Sequence, residues 1–396
     1  MTSDNVEGES DGFTRRTYLL GIGGAGLAGT AGCLGDGDGN GDASNDAGND
    51  DSGSGTNDAD FPEYDSELEP GDGDEYVEMF PQPAEEMYEL GNYQADKQGL
   101  LEPLEDPRDE PRYGDELWEV DDESEYISPD PIEMTFVPDE DPAALERAME
   151  PLMDQIEEYT GHSVNYVPVD SYAATVEAMR AGRLHFGRVS GGTMPYAANI
   201  AGAHPIAHIM EDDEYGNAFW MVTRRDNDEI NTVADLEGIE VTHADPGSGS
   251  GNLEPRVFIE DDAGLVAEED YDVDFSGGHD TSLRGIEQGD YEVGPCGGPT
   301  FANMVEQGQI DPENFKVIYM GPVMPRGPMS YVYNLEPDLV EGITKALLEH
   351  DYSGTAMEEE LQYNNFIEVD YYTTYDPILQ VHEALGEEYD IDEMDG

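Results

Sequence analysis

The chain has 396 residues, of which 93 are Asp or Glu and 16 are Lys or Arg, giving a formal charge of -77 at pH 7. A hydrophobic share of 37% supports packed cores over only part of that length. The balance argues against a nucleic-acid partner, because no Lys/Arg cluster exists to displace counterions from phosphates, and Cys33 and Cys296 lie too far apart to suggest a disulfide framework.

The acids are spread along the whole chain. Self-repulsion on this scale opposes a compact state in dilute buffer but is screened at molar salt, where the Debye length falls to about 3 Å. The composition therefore reads as halophilic.

Residues 1–33 read as an export address. Thr14-Arg15-Arg16-Thr17-Tyr18-Leu19-Leu20 is a twin-arginine pattern, and the glycine-rich run to Gly32 is too short and too weakly apolar to span a membrane. Thr30-Ala31-Gly32-Cys33 resembles a lipobox, which makes Cys33 a lipid anchor and places the protein on the extracytoplasmic face of the cell membrane. Residues 34–60, almost only Gly, Asp, Asn, Ser and Ala, form an acidic flexible tether. Asp36-x-Asp38-x-Asn40-Gly41 imitates the start of a calcium loop, but Ala47 occupies the position that needs a bidentate Glu. Residues 61–131 hold aromatics among acids and prolines without a sustained period, and read as an irregular extension.

From Ile132 strands and helices alternate. Glu133 to Val137 predicts a strand and Asp141-Pro142 a helix start, followed by the apolar stripe Leu145, Ala148, Met149, Leu152, Ile156. Strands are predicted at 164–169, 184–189, 207–210 and 218–223, with helices opening at Ser171-Tyr172 and after Thr193. The pattern restarts beyond Arg225, with strands at 273–275, 293–295 and 315–320, then a return strand at 331–334 and helices over 337–349 and 377–385. The reading is α/β, with two lobes, each a mainly parallel sheet flanked by helices: 132–223 with 321–388, and 224–320. A crevice between lobes is a common ligand site.

Thr242 to Pro255 is the stretch with most chemistry. An alternating run enters it and a helical pattern through Val257, Phe258 and Ile259 leaves it, so Gly247-Ser248-Gly249-Ser250-Gly251 lies between a strand and a helix start. Glycines admit a ligand close to the backbone, the first N–H groups of a helix lack intrahelical partners, and Ser248 and Ser250 add hydroxyl donors. A plain flexible loop is the competing reading of these residues alone. Cys296 reads as a small core residue, no metal-ligand spacing occurs, and no cofactor is implied.

In order along the chain, Ser171-Tyr172, Asp235-Leu236-Glu237-Gly238, Asp245-Pro246 with Ser248-Gly249-Ser250-Gly251, Ser276-Gly277-Gly278-His279-Asp280 and Gly289-x-x-Glu292 resemble the substrate-binding proteins of ABC importers for phosphonate, phosphite and phosphate. The resemblance covers about residues 132–350. It implies a two-lobed periplasmic-binding-protein fold, a small oxyanion ligand and permease and ATPase partners. It also implies Tyr172 and Tyr196 near the ligand, Ser248, Gly249 and Ser250 on its oxygens, His279 as a donor and Glu292 as an acceptor. The run His185 to Thr193 departs from the family pattern. It adds Arg188 as a bidentate partner for an oxyanion and Ser190 and Thr193 as donors, and it keeps a sulfonate open as ligand. A hydrolase using Ser250 with His279 and Asp280 is the alternative from another class, but the glycine-serine run centres on Gly249, so it spells no nucleophile elbow.

Overall fold

The computed structural model describes residues 61–91, 94–96, 108–136, 142–211, 214–361 and 363–390. The twin-arginine run, Cys33 and the tether lie outside the described residues.

The first lobe grows from Ile132–Thr135, which pairs in parallel with Val164–Tyr166 on one side and Phe186–Arg188 on the other. Helix Pro142–Thr160 joins the first two strands. Leu145, Ala148, Met149, Leu152 and Ile156 are buried along it, a 3.6-residue stripe laid against the core, and the helix runs on through Pro151. Helix Tyr172–Arg180 makes the next crossover, started by Ser171, whose hydroxyl accepts from the Ala174 N–H at 3.1 Å. Among the described residues the sheet has nine strands; Ala203–Glu211, Glu214–Asn217, Met324–Pro325, Pro328–Val332, Tyr363–Glu368 and Gln94–Asp96 join it antiparallel.

In the second lobe Phe219–Arg224 lies between Val293–Gly297 and Phe315–Met320, antiparallel to both. Glu240–His243 and Asp272–Phe275 form a parallel pair alongside, with the Thr242 carbonyl against Gly294. The chain passes between lobes after Asn217 and again after Met320.

Among the described residues the first lobe's sheet is thus mixed, and the second lobe sets an antiparallel four-stranded sheet beside a separate parallel pair, which corrects the expectation of a mainly parallel sheet in each lobe. Parallel pairing is confined to the strand-helix-strand units; each crossing between lobes reverses the chain and sets the new strand antiparallel. A strand buried on both faces, such as Phe219–Arg224 with its Phe-Trp-Met-Val run, shows no alternation, and such a run carries no sign of direction.

The segment expected to be irregular is partly ordered as well. Helices Asp74–Glu78 and Ala84–Glu89 flank Gln82–Pro83, which adds an antiparallel edge to the Phe315–Met320 strand. Fully buried Tyr76 donates to the Met320 carbonyl at 2.5 Å and meets Phe80 and Tyr319 edge-on at 5.4 and 5.6 Å. Burying each such ring contributes about 1.5–3 kcal/mol. Further on, Arg112 pairs with Asp376 at 2.9 and 2.7 Å, holding the extension to the first lobe. Each helix here is too short to show a period, so pattern reading passes over it.

Candidate functional site

The second lobe's contribution begins where Glu240–His243 ends. The Asp245 carboxylate accepts from the Gly247 N–H at 2.8 Å and its carbonyl from the Ser248 N–H at 3.0 Å, folding the loop back on itself. Gly249–Leu253 then makes one wide π-type turn, closed by the Leu253 N–H on the Ser248 carbonyl at 3.0 Å, before helix Glu254–Ala263 continues with Pro255 in its first turn. The Ser248 hydroxyl caps the turn by accepting from the Gly251 N–H at 3.1 Å. Only glycine fits at 251, because a Cβ there would stand 2.6 Å from the Ala244 Cβ and 2.7 Å from the His279 ring.

His279 opens helix His279–Gln288 and is buried against that loop. Its Nδ1 accepts from the Gly297 N–H at 3.4 Å, which leaves the proton on Nε2, 3.3 Å from the Ser248 hydroxyl. Burial pushes its pKa down to about 4, so the imidazole is a neutral donor at neutral pH.

The first lobe faces this cradle with Tyr172, Arg188, Ser190, Gly191, Gly192, Arg326, Gly327 and Tyr363. Together the two sides enclose a cavity of about 540 Å³, whose mouth adds Asp280, Arg284 and Asn303. The Arg188 guanidinium lies 5.2 Å from the Phe136 ring centroid and donates to the Tyr363 hydroxyl at 3.3 Å. Arg326, 5% exposed, is positioned through its backbone: its N–H donates to His208 Nε2 at 3.2 Å and its carbonyl accepts from the Tyr375 hydroxyl at 2.9 Å. Two guanidinium groups therefore meet serine hydroxyls and a histidine N–H in one crevice of a strongly acidic chain.

Seven of the expected residues, Tyr172, Arg188, Ser190, Ser248, Gly249, Ser250 and His279, line this cavity. Thr193 lies behind it, fully buried, and links the lobes by donating to the Gly247 carbonyl at 2.9 Å. Tyr196 is not in the cavity. Its ring packs edge-on against His382 and Tyr389 at 5.1 and 5.4 Å, and its hydroxyl donates to Glu387, so that side of helix Met194–Ala201 serves the core. Glu292 is also elsewhere. Gly297 ends at the cavity, and Glu292, exposed just before that strand, is five residues away, roughly 16 Å along an extended chain.

Arg326, Tyr363 and Glu254 were missed from the sequence. Arg326 sits in a Pro-Arg-Gly-Pro turn between two strands, and the rarity of cations in this chain was the available signal. Glu254 is buried, and burial alone raises its pKa to about 8. The hydrolase relay is not assembled: Asp280 pairs with Arg284 at 3.0 Å, and the Nδ1 of His279 faces a backbone N–H.

The family model described as ABC transporter, phosphonate, periplasmic substrate-binding protein matches residues 134–375. The phosphate-import protein PhnD of Mycolicibacterium smegmatis is 26% identical over 252 residues, which cover 59% of this chain and 75% of that protein. PhnD1 from Prochlorococcus marinus, solved with methylphosphonate, superposes with a TM-score of 0.58 at 18% identity, covering 66% of this chain and all of that one. A binding-protein component of a phosphonate ABC transporter from Pseudomonas aeruginosa gives 0.58 at 16% identity, over 67% of this chain and 89% of its own. The two structures share the two-lobed fold, and the family match spans most of both lobes: the chain belongs to the periplasmic substrate-binding proteins of phosphonate ABC transporters.

Proposed function

We propose that this protein captures a phosphorus oxyanion, phosphonate, phosphite or phosphate, between its lobes and delivers it to a membrane permease driven by an ATPase. The observation that carries this reading is the convergence of Arg188 and Arg326 from one lobe with Ser248, Ser250 and His279 from the other on a single cavity. Hydrogen bonds to charged groups contribute about 1.5–3 kcal/mol each, so four to six of them support micromolar binding after ordering costs. The lobes close about the crossings that follow Asn217 and Met320 and exclude water. Cys33 carries the lipid that keeps the exported protein at the cell surface, with the tether giving it reach. The role is capture and release: the cradle holds no lysine, and no activated nucleophile accompanies its serines.

Calorimetry in molar salt with phosphate, phosphite, methylphosphonate and methanesulfonate tests the ligand class. Binding of at least one phosphorus oxyanion is expected. Binding of methanesulfonate alone would move the protein to sulfonates. Detergent partitioning of the Cys33→Ala variant, expressed in an exporting host, tests the anchor; the variant is expected in the aqueous phase.

A further inference from the structure

We propose that the cavity holds a second subsite beside the phosphoryl cradle, formed by Asn217, Thr300 and Asn303, and that it takes the hydroxylated substituent of an organophosphonate. The inference rests on the functional reading above and narrows its ligand class.

Methylphosphonate has five heavy atoms and, at a water molecule's share of about 30 Å³ for each, fills about 150 Å³ at most. The cavity of about 540 Å³ lies in the range that takes far larger ligands. This is not the room of an opened cleft, because the lobes already meet where Thr193 donates to the Gly247 carbonyl at 2.9 Å. The room has a defined place beside the cradle. Three polar atoms converge on the point where a Cβ of Gly297 would stand: the Ser250 hydroxyl at 3.2 Å, the Thr300 hydroxyl at 3.5 Å and the Asn217 amide nitrogen at 4.0 Å. They come from three separate segments, the cradle turn, the first turn of helix Gly298–Glu306 and the strand end before the first crossing between lobes. Ser250 belongs to the cradle, so this point adjoins the phosphoryl site. From it Thr300, Asn303 and Gln307 line the cavity along one face of the helix, a path of about 10 Å at 1.5 Å per residue.

The chemistry of this wall selects the substituent. No hydrogen bond among the described residues uses the side chains of Asn217, Thr300 or Asn303, so all three are available to a ligand. Hydroxyl and amide side chains both donate and accept, and a ligand hydroxyl does the same. The charged groups at the mouth do not call for a charged substituent, since Asp280 and Arg284 pair with each other at 3.0 Å. A purely alkyl substituent would strip water from the three polar side chains and replace none of its hydrogen bonds, which costs affinity.

Calorimetry of the full chain in molar salt, with methylphosphonate, propylphosphonate and dihydroxypropylphosphonate, gives the test. The two longer ligands share a chain length and differ only in their hydroxyls. Dihydroxypropylphosphonate is expected to bind about tenfold or more tightly than propylphosphonate. Thr300→Val, which keeps the shape of the side chain, and Asn303→Ala are each expected to narrow that margin about fivefold. Equal affinity for the two longer ligands, or a margin that neither variant narrows, overturns this inference and leaves the functional reading standing. Binding of phosphate, phosphite or methylphosphonate without either longer ligand does the same. Should neither variant fold, the comparison of the two longer ligands on the unaltered protein decides. Silence from every phosphorus oxyanion overturns the functional reading and this inference with it.

Discussion

Thr193 of the first lobe donates its hydroxyl hydrogen to the carbonyl of Gly247 in the second, at 2.9 Å, and both groups are buried. Beside this bond Gly192 touches Gly249, and His382 holds the Gly192 carbonyl from behind through Nε2 at 2.9 Å. The described conformation is therefore a closed one, sealed at a point where two glycines let two backbones meet.

Removing that fit should weaken binding without unfolding either lobe. A Cβ on Gly192 would stand within 2.5 Å of the Gly249 Cα, both fixed backbone, so Gly192→Ala is expected to hold the lobes apart and lower affinity at least tenfold. Thr193→Val removes the hydrogen bond across the lobes, about 1 kcal/mol, together with the 2.7 Å bond to the Ser190 hydroxyl, and should cost about fivefold or more. Small-angle scattering should show ligand-induced compaction in the unaltered protein and little in Gly192→Ala. Unchanged affinity in Gly192→Ala would mean that binding does not need this contact.

How much of this was legible in the sequence depends on the range of the interactions involved. The stripe from Leu145 to Ile156 and the Ser248 cradle are local patterns, and the chain follows them residue by residue. Tyr196 and Glu292 sit in matching sequence neighbourhoods yet point elsewhere, because helix rotation and strand length place a side chain and motif spacing does not. Arg326 reaches the cavity only through the return crossing and the His208–Tyr375 hydrogen bonds, all of them long-range in sequence. Strand direction was hidden for the same reason.

The arginine pair should separate charge from geometry. Arg326→Met removes the guanidinium of a buried residue that lines the cavity and is expected to lower affinity about 100-fold, about 3 kcal/mol. Arg188→Lys keeps the charge but loses the planar fork and its packing on Phe136, and a smaller loss is expected. Calorimetry at molar salt measures both, since exposed charges are screened there. An Arg326→Met variant that binds as tightly as the unaltered protein would remove Arg326 from the site.

Acid should destabilise the unliganded protein early. Burial is the largest cause that lowers His243, His279 and His382 to about 4 each, and it displaces His185 and His204 in the same direction. A histidine whose folded pKa is depressed lends stability that is complete above its unfolded pKa near 6.5 and is lost as pH falls toward 4. Between pH 5 and 6 the unfolded chain thus binds between about two and three more protons through the first three groups, while Glu254 returns about one. The net slope is about 2 kcal/mol per pH unit, stability rising with pH. Denaturant titrations at pH 5, 6 and 7 in molar salt check it, and a flat profile would show that these imidazoles are solvated.

Glu254 acts in the opposite sense. Its folded pKa is raised to about 8 from an ordinary 4.5, so its contribution is complete below pH 4.5 and is lost as pH rises through 8. At neutral pH the unliganded protein therefore holds a carboxyl that the unfolded chain would ionise. Glu254→Gln fills the same space without that cost and is expected to raise unfolding stability by about 1–3 kcal/mol at pH 8 and to leave it nearly unchanged at pH 4.5. Thermal unfolding at the two pH values, in molar salt and without ligand, reads the difference. Equal stability at both pH values would instead show that water reaches Glu254 before any ligand does.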